Sequence, residues 1–435
     1  MASGTADVIV VGAGITGCAV ALELAREGWA VVVVDARQTA GAGATGAASG
    51  IVGFHHRSHE AVAAAWESCQ WWTRWSEHLG GVADDRGSAH YRRTGGLVLD
   101  TLDADHSHVL GLFDLVGVPY EELTADQIRA RFPAVDPSAY GPPVPFGDLG
   151  FWRPAHGELR GYYTPDAGYV DDPQLAAHNL MTAARHHGAR FRFGETVTMI
   201  RRTAHRVAGV RLASGGTIDA PVVVNVAGPA SDAVNRLADV TVDMRVRGRP
   251  LRVETHAIPA PCGFDLDEGV LVTDHDLGTA FRPQAGGLVH IASIVPDCDP
   301  LDWARDPEAY YHAPTEAVYE RQAYRVARRL PGLTVPPRPS GLAALYDVTP
   351  DRTPVFDRTT LPGFYTASGT SGNAFALAPV AGPMMAELIR ACESGHDHDR
   401  FPVRYACRAT LATIDLGAYS RLRSPTARRP AHVLG

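Results

Sequence analysis

The sequence predicts an α/β chain, α+β overall, in which a parallel-sheet domain is joined to a second domain built on an antiparallel sheet. Three observations point there. Two short β-branched runs flank a glycine turn and an apolar helix, which is the pattern of a buried parallel βαβ unit. Later segments such as 251–258 and 287–294 alternate apolar with polar residues instead, as half-buried antiparallel strands do. The length of 435 residues is about three times that of an ordinary domain.

The elements follow in order. "VIVV" at 8–11 is the first buried strand, and a helix is expected over 15–27. Between them Gly12, Gly14 and Gly17 have the G-x-G-x-x-G spacing. The first glycine makes the tight turn, the second lets backbone approach a pyrophosphate, and the third allows close helix–strand packing. A pyrophosphate would then sit on the helix N-terminus. Asp35 ends the second strand 18 residues after Gly17, where a carboxylate accepts from ribose hydroxyls; its charge disfavours a 2′-phosphate. This is a Rossmann-like dinucleotide-binding unit. After Ala36 comes "RQTAGAGATGAASGIVG", a small-residue loop suited to close approach of an extended ligand. Near the end, small residues at 366–373 precede an apolar-periodic helix whose N-terminus can stabilise negative charge. The nucleotide-binding domain is expected to be discontinuous, at 1–92, 163–238 and 335–420. Residues 93–162 and 239–334 would form the substrate domain, and 421–435 a frayed tail.

Composition narrows the function. A net charge of −8 gives no footprint for nucleic acid. The apolar runs near the N-terminus are too short or too glycine-rich for a membrane span, and no basic segment precedes them, so a cytoplasmic protein is expected. The six cysteines form no CxxC pair and are expected to be buried free thiols, with no metal bound. All 40 Lys and Arg residues are arginine, which excludes lysine Schiff-base chemistry.

Four further segments give a resemblance. "GATGAASGIV" (43–52), 166–197, 208–231 and the pair "LYDVTPDRTPVFD" with 363–389 follow the N-terminal fingerprint in order. Together they resemble the D-amino-acid oxidase superfamily of FAD enzymes, the branch of sarcosine oxidases, glycine oxidase and dimethylglycine dehydrogenase-like proteins. The resemblance implies FAD contacts at Thr45, Ala48, Ser49, Gly50, Val197, Ala227, Gly228, Gly372, Asn373 and Ala374, besides the glycines, Asp35 and Ala36. It also implies hydride transfer to the flavin from the carbon beside a substrate nitrogen, giving an imine.

Several family positions differ here. Tyr346 stands where glycine oxidase-like members carry a carboxylate-clamping arginine and sarcosine oxidase-like members a tyrosine. The resemblance thus favours a secondary or tertiary amine over a primary amino acid. The family's covalent attachment points fall on Ala344 and Ala47, so FAD is expected to be non-covalent. Two arginines of sarcosine oxidases align with Gly50 and Gly53, and "GFHHRSHE" begins there. His55, His56 and Arg57 are therefore candidates for the lip of the active site, replacing the missing cations, with His59 turned elsewhere; the alternatives are an ordinary solvated stretch and, as the weakest reading, an i, i+4 metal pair of His55 and His59. His290, midway along an apolar strand, is either a satisfied structural histidine or a further candidate for the flavin face, and Arg282 either anchors substrate or forms a structural ion pair. The lysine that promotes reaction with oxygen becomes Ala376, leaving oxygen or another electron acceptor open. The expected activity is FAD-dependent oxidation of a C–N bond in a small amine. The alternatives are an oxidase of primary amino acids, a flavin-binding protein without catalysis, and an NAD dehydrogenase.

Overall fold

The computed structural model describes residues 4–425. Five strands run parallel in the order Arg190–Phe193, Val31–Asp35, Val8–Val11, Val222–Asn225 and Phe364–Ser368, with Val355–Arg358 antiparallel at the edge. The runs VIVV and VVVV can occupy its centre because both faces are covered. Successive side chains point to opposite faces. Val8 and Val10 thus join the core beneath the helices Ile15–Arg26, Pro173–His186 and Ala374–Glu393, while Ile9 and Val11 meet the three-stranded antiparallel layer of residues 197–219.

The helix Ala374–Glu393 is long and apolar enough to cross a membrane by length and composition, a feature that the expectation drawn from the N-terminal runs left out. Here it is buried against the helix Ile15–Arg26, and a Cβ at Gly382 would lie 2.6 Å from the Ala19 carbonyl oxygen. That closeness explains why glycine sits inside a helix.

The second domain is a large, mostly antiparallel sheet. Arg249–Pro259 pairs with Leu288–Ser293, which continues through Thr279–Gln284, Leu271–Asp274 and Gly96–Leu99 to Gly161–Thr164. The amphipathic helix Glu316–Arg329 covers one face, placing Tyr319, Ala323 and Val326 against Phe281, Val289 and Ile291.

Three expectations need correction. The strand Gly341–Val348 hydrogen-bonds along Arg249–Pro259, so the large sheet reaches past the expected boundary at 335. The expected cut between 162 and 163 falls inside the strand Gly161–Thr164, whose ladder to Gly96–Leu99 holds it together. The chain is also not a tail at 421: Arg421 is buried and pairs with Asp243, Asp357 and Asp399. Residues 426–435 of that expected tail lie outside the described residues. Of the six free cysteines only Cys18 and Cys69 are buried, Cys262 being exposed on a turn and the others half-buried.

Candidate active site

The glycine turn is built as its spacing requires. Gly12 has φ +115°, and a Cβ there would lie 2.4 Å from the Val226 carbonyl oxygen of the neighbouring strand connection. A Cβ at Gly17 would meet the Gly12 carbonyl oxygen at 2.0 Å, so Gly17 serves packing and does not line the cavity. The Ile15 backbone N–H donates to the Thr45 hydroxyl at 3.0 Å, which brings the small-residue loop onto the start of the helix. Asp35 accepts from the Ala13 and Arg37 backbone N–H groups, so its carboxylate fixes the turn as well as facing the cavity.

A cavity of about 630 Å³ runs from this turn to the large sheet. Gly12, Gly14, Asp35, Ala36, Thr45 and Val197 line its first part. Ala227 and Gly228 flank the middle, and Ala48, Tyr346, Gly372 and Ala374 line the far part. Ser49, Gly50 and Asn373 lie off this cavity and line a second, smaller one of about 80 Å³. The two share Ala48, Tyr346, Gly372 and Phe375, so the small chamber opens from the far end of the large one.

An elongated nucleotide cofactor fits this shape. The cradle at Gly12 and Gly14 admits no Cβ without crowding, Gly14, Ile15 and Thr16 at the helix N-terminus line the cavity where a pyrophosphate would sit, and Asp35 lines the same cavity, where it could accept from a ribose. Ala47 and Ala344 both line the cavity and offer no nucleophile for a covalent link.

The histidine stretch divides. His55 and His56 line the small chamber; Arg57 is exposed and lines neither cavity, its carbonyl accepting from the His108 ring at 3.0 Å. Burial holds the His56 imidazolium pKa down to about 4, so this ring is neutral at pH 7 and cannot act as the missing cation there. His290 also lines neither cavity: it is buried inside the large sheet opposite Arg282, and burial followed by the Arg282 charge keeps it neutral. Among the described residues Arg282 makes neither the structural ion pair nor the substrate-anchoring contact that the sequence suggested, and it lines neither chamber. Its Nε donates to the Ser49 carbonyl at 2.9 Å and its guanidinium lies 3.8 Å from the centre of the Tyr169 ring, so it supports the floor from behind. Burial pulls its pKa down to about 10. Tyr346 is held neutral, its phenol pushed up to about 12 by burial. Among the described residues no group of three potential metal ligands gathers.

Sequence reasoning missed Tyr162, Thr273 and Phe375, which also line the small chamber. They come from three distant segments, and only Phe375 lay in a motif. Trp72 was missed as well. Its ring stacks 5.1 Å from Phe375 and its Nε1–H donates to the Ala376 carbonyl at 3.1 Å, fixing the helix start at the junction of the cavities.

A model of the family described as FAD dependent oxidoreductase matches residues 7–388. The chain belongs to that family. This FAD dependent oxidoreductase is 25% identical over 427 residues to D-amino acid dehydrogenase of Methylobacterium nodulans, covering 90% of this chain and 97% of that protein. It is 29% identical over 265 residues to one component of the anaerobic glycerol-3-phosphate dehydrogenase of Escherichia coli; the match covers 59% of this chain and spans only 43% of that relative's length. In structure the oxidoreductase resembles L-proline dehydrogenase from P. horikoshii, with TM-score 0.75, 20% identity, and coverage of 97% and 98% of the two chains. It also resembles glycine oxidase from Geobacillus kaustophilus, with TM-score 0.70, 20% identity, and coverage of 92% and 98%.

Proposed function

We propose that this oxidoreductase oxidises the C–N bond of a small amino acid-like, or secondary or tertiary, amine to an imine. One observation carries the reading: a small chamber opens from the end of the nucleotide cavity at Tyr346 and Gly372, and among the described residues that line it none is Arg, Lys, Asp or Glu. A chamber without fixed charge favours the neutral amine, the form that can release hydride, over its ammonium. The near full-length match to a D-amino acid dehydrogenase supports a nitrogen-bearing substrate.

Bound FAD supplies the hydride-accepting chemistry. The chain's own residues bind, orient and exclude water. Phe54 and Leu97 form apolar wall, while Tyr346, Thr273 and Asn373 supply uncharged hydrogen-bonding groups. Without a cation in this wall, a primary amino acid's carboxylate has no bidentate partner, which favours the sarcosine oxidase-like reading of Tyr346. The absence of lysine from the chain supports a slow reaction with oxygen and hence another electron acceptor.

The test is anaerobic mixing of the FAD-bound protein with N-methyl amino acids, cyclic imino acids and primary amino acids while the flavin absorbance is followed. Bleaching by the first two classes is expected, with slow return of colour in air. Failure of every amine to bleach bound FAD would refute the proposal.

A further inference from the structure

The connection 304–315, between the strand Asp302–Trp303 and the helix Glu316–Arg329, belongs to the second domain, yet Glu308, Tyr310 and His312 from it line the large cavity. It meets the nucleotide domain at Arg37, two residues past Asp35, where the guanidinium pairs with the Glu308 carboxylate at 3.0 Å. Its other end is tied to the large sheet. The Ala343 backbone N–H donates to the His312 carbonyl at 3.1 Å. Arg252 donates from Nε to the Tyr311 carbonyl at 2.8 Å and from Nη2 to the Ala313 carbonyl at 2.7 Å, and is itself paired with Glu254 at 2.7 Å. Tyr310 falls between Glu308 and these ties, with its ring 4.1 Å from that of His312.

These ties order the wall. With a pyrophosphate at Gly14 and a ribose at Asp35, the base lies beyond the ribose, on the side of Ala36 and Arg37. Tyr346 and Gly372 mark the opposite, flavin end. Ala343 precedes Tyr346 by three strand residues, about 10 Å at the usual rise. The wall therefore runs from Glu308 beside Arg37, through Tyr310 and His312, to Ala343 and on to Tyr346. We infer that the connection 304–315 is a clasp over the adenosine half of FAD, in which the Tyr310 ring stacks on the adenine and the Arg37–Glu308 pair holds the clasp across the two domains. The inference rests on FAD in the large cavity and is independent of which amine is oxidised.

The two contacts differ in kind. A flat base gains affinity by stacking on an aromatic face, and loss of one such ring lowers affinity by about fivefold to a hundredfold. Burial raises the Tyr310 phenol pKa against the smaller pull of Arg37 and Arg252, so the ring is neutral at pH 7 and lies within electrostatic reach of Arg37. The Arg37 and Glu308 side chains are both exposed, and such a pair gains little affinity by itself and is screened by salt. Its work is geometric: it keeps the segment where the Tyr310 ring meets the cavity. Tyr310 is thus a binding residue for the cofactor and takes no part in the chemistry at the flavin.

The test follows FAD leaving the FAD-bound protein on dilution, read from the rise in flavin fluorescence as free cofactor appears. Tyr310→Ala should release FAD about fivefold to a hundredfold faster than the wild type. Tyr310→Phe keeps the ring and should stay within about twofold. The visible spectrum of the flavin still bound should be the same in all three proteins, because the altered contact lies at the other end of the cofactor. Glu308→Arg sets two cations together and should speed release by about threefold or more at low salt and by less at high salt. Arg37→Glu combined with Glu308→Arg restores an opposite pair and should bring release back toward the wild-type rate. These charge variants read the same clasp if Tyr310→Ala does not fold. Release at the wild-type rate from both Tyr310→Ala and Glu308→Arg would overturn the clasp. A shifted flavin spectrum in Tyr310→Ala would place the ring at the flavin end and overturn it as well.

Discussion

Asp347 gives the sharpest test of the electrostatics around the cavity. It follows Tyr346 in the strand Gly341–Val348, is 4% exposed, and accepts from the Gly369 backbone N–H with no cation among the described residues pairing with it. Burial, followed by repulsion from Asp232, raises its pKa from 3.8 to about 7 against the pull of the Gly369 N–H. The folded protein therefore holds a proton that the unfolded chain has already released between about pH 4 and pH 7. Stability must fall as pH rises through that window. At about 1.4 kcal/mol per pH unit, the full loss is about 4 kcal/mol, complete above pH 7. Asp347→Asn keeps an oxygen to accept from Gly369 and cannot ionise. The variant should match the wild type below pH 4 and exceed it by about 2–4 kcal/mol at pH 8, read from urea unfolding of the FAD-bound protein at each pH. Parallel stability curves for the two proteins from pH 4 to pH 8 would show that Asp347 ionises normally in the folded state and refute the reasoning.

Three further outcomes follow from named contacts. Gly12→Ala should abolish FAD retention on gel filtration, because its Cβ would lie 2.4 Å from the Val226 carbonyl oxygen at φ +115°; a yellow, stable variant would contradict the cradle. Arg421→Met leaves Asp243, Asp357 and Asp399 without their shared cation and should cost about 3–5 kcal/mol in denaturant unfolding, so a loss below about 1 kcal/mol would count against a buried network. His56 is held neutral with its pKa lowered to about 4, so the unfolded chain binds a proton the folded one refuses. Stability should fall as pH drops from about 6.5 toward 4, and His56→Gln should flatten that slope; an unaltered slope would place the ring in contact with solvent.

Much of the nucleotide half was legible because it depends on local chemistry. Gly12 and Asp35 announce themselves by backbone demands and by spacing within one βαβ unit, and both line the cavity. The small chamber was legible only at its edges. Its wall joins His55 to Tyr162 and Thr273, residues 107 and 218 positions further along, and no periodicity links them. Charge misled the reading of Arg57 and His290 for a related reason. A cation in sequence next to a pocket residue need not face the pocket, since a bend can send Arg57 outward beside His108 while His55 turns in. His290 lies on a strand that also contributes Val289 and Ile291 to the core, and its ring is buried within the large sheet.

The loss of family cations and the neutral chamber are two sides of one electrostatic problem. A reduced flavin bears negative charge, and this chain has no lysine to meet it. What remains is the N-terminus of the helix Ala374–Glu393, whose first residues line both cavities. Its unpaired N–H groups amount to about half a positive charge that cannot be titrated away. Trp72 fixes that end through the Ala376 carbonyl, and Gly382 lets the helix body sit directly on Ala19. Positive potential supplied by backbone stays constant with pH, whereas a histidine would supply it only when protonated.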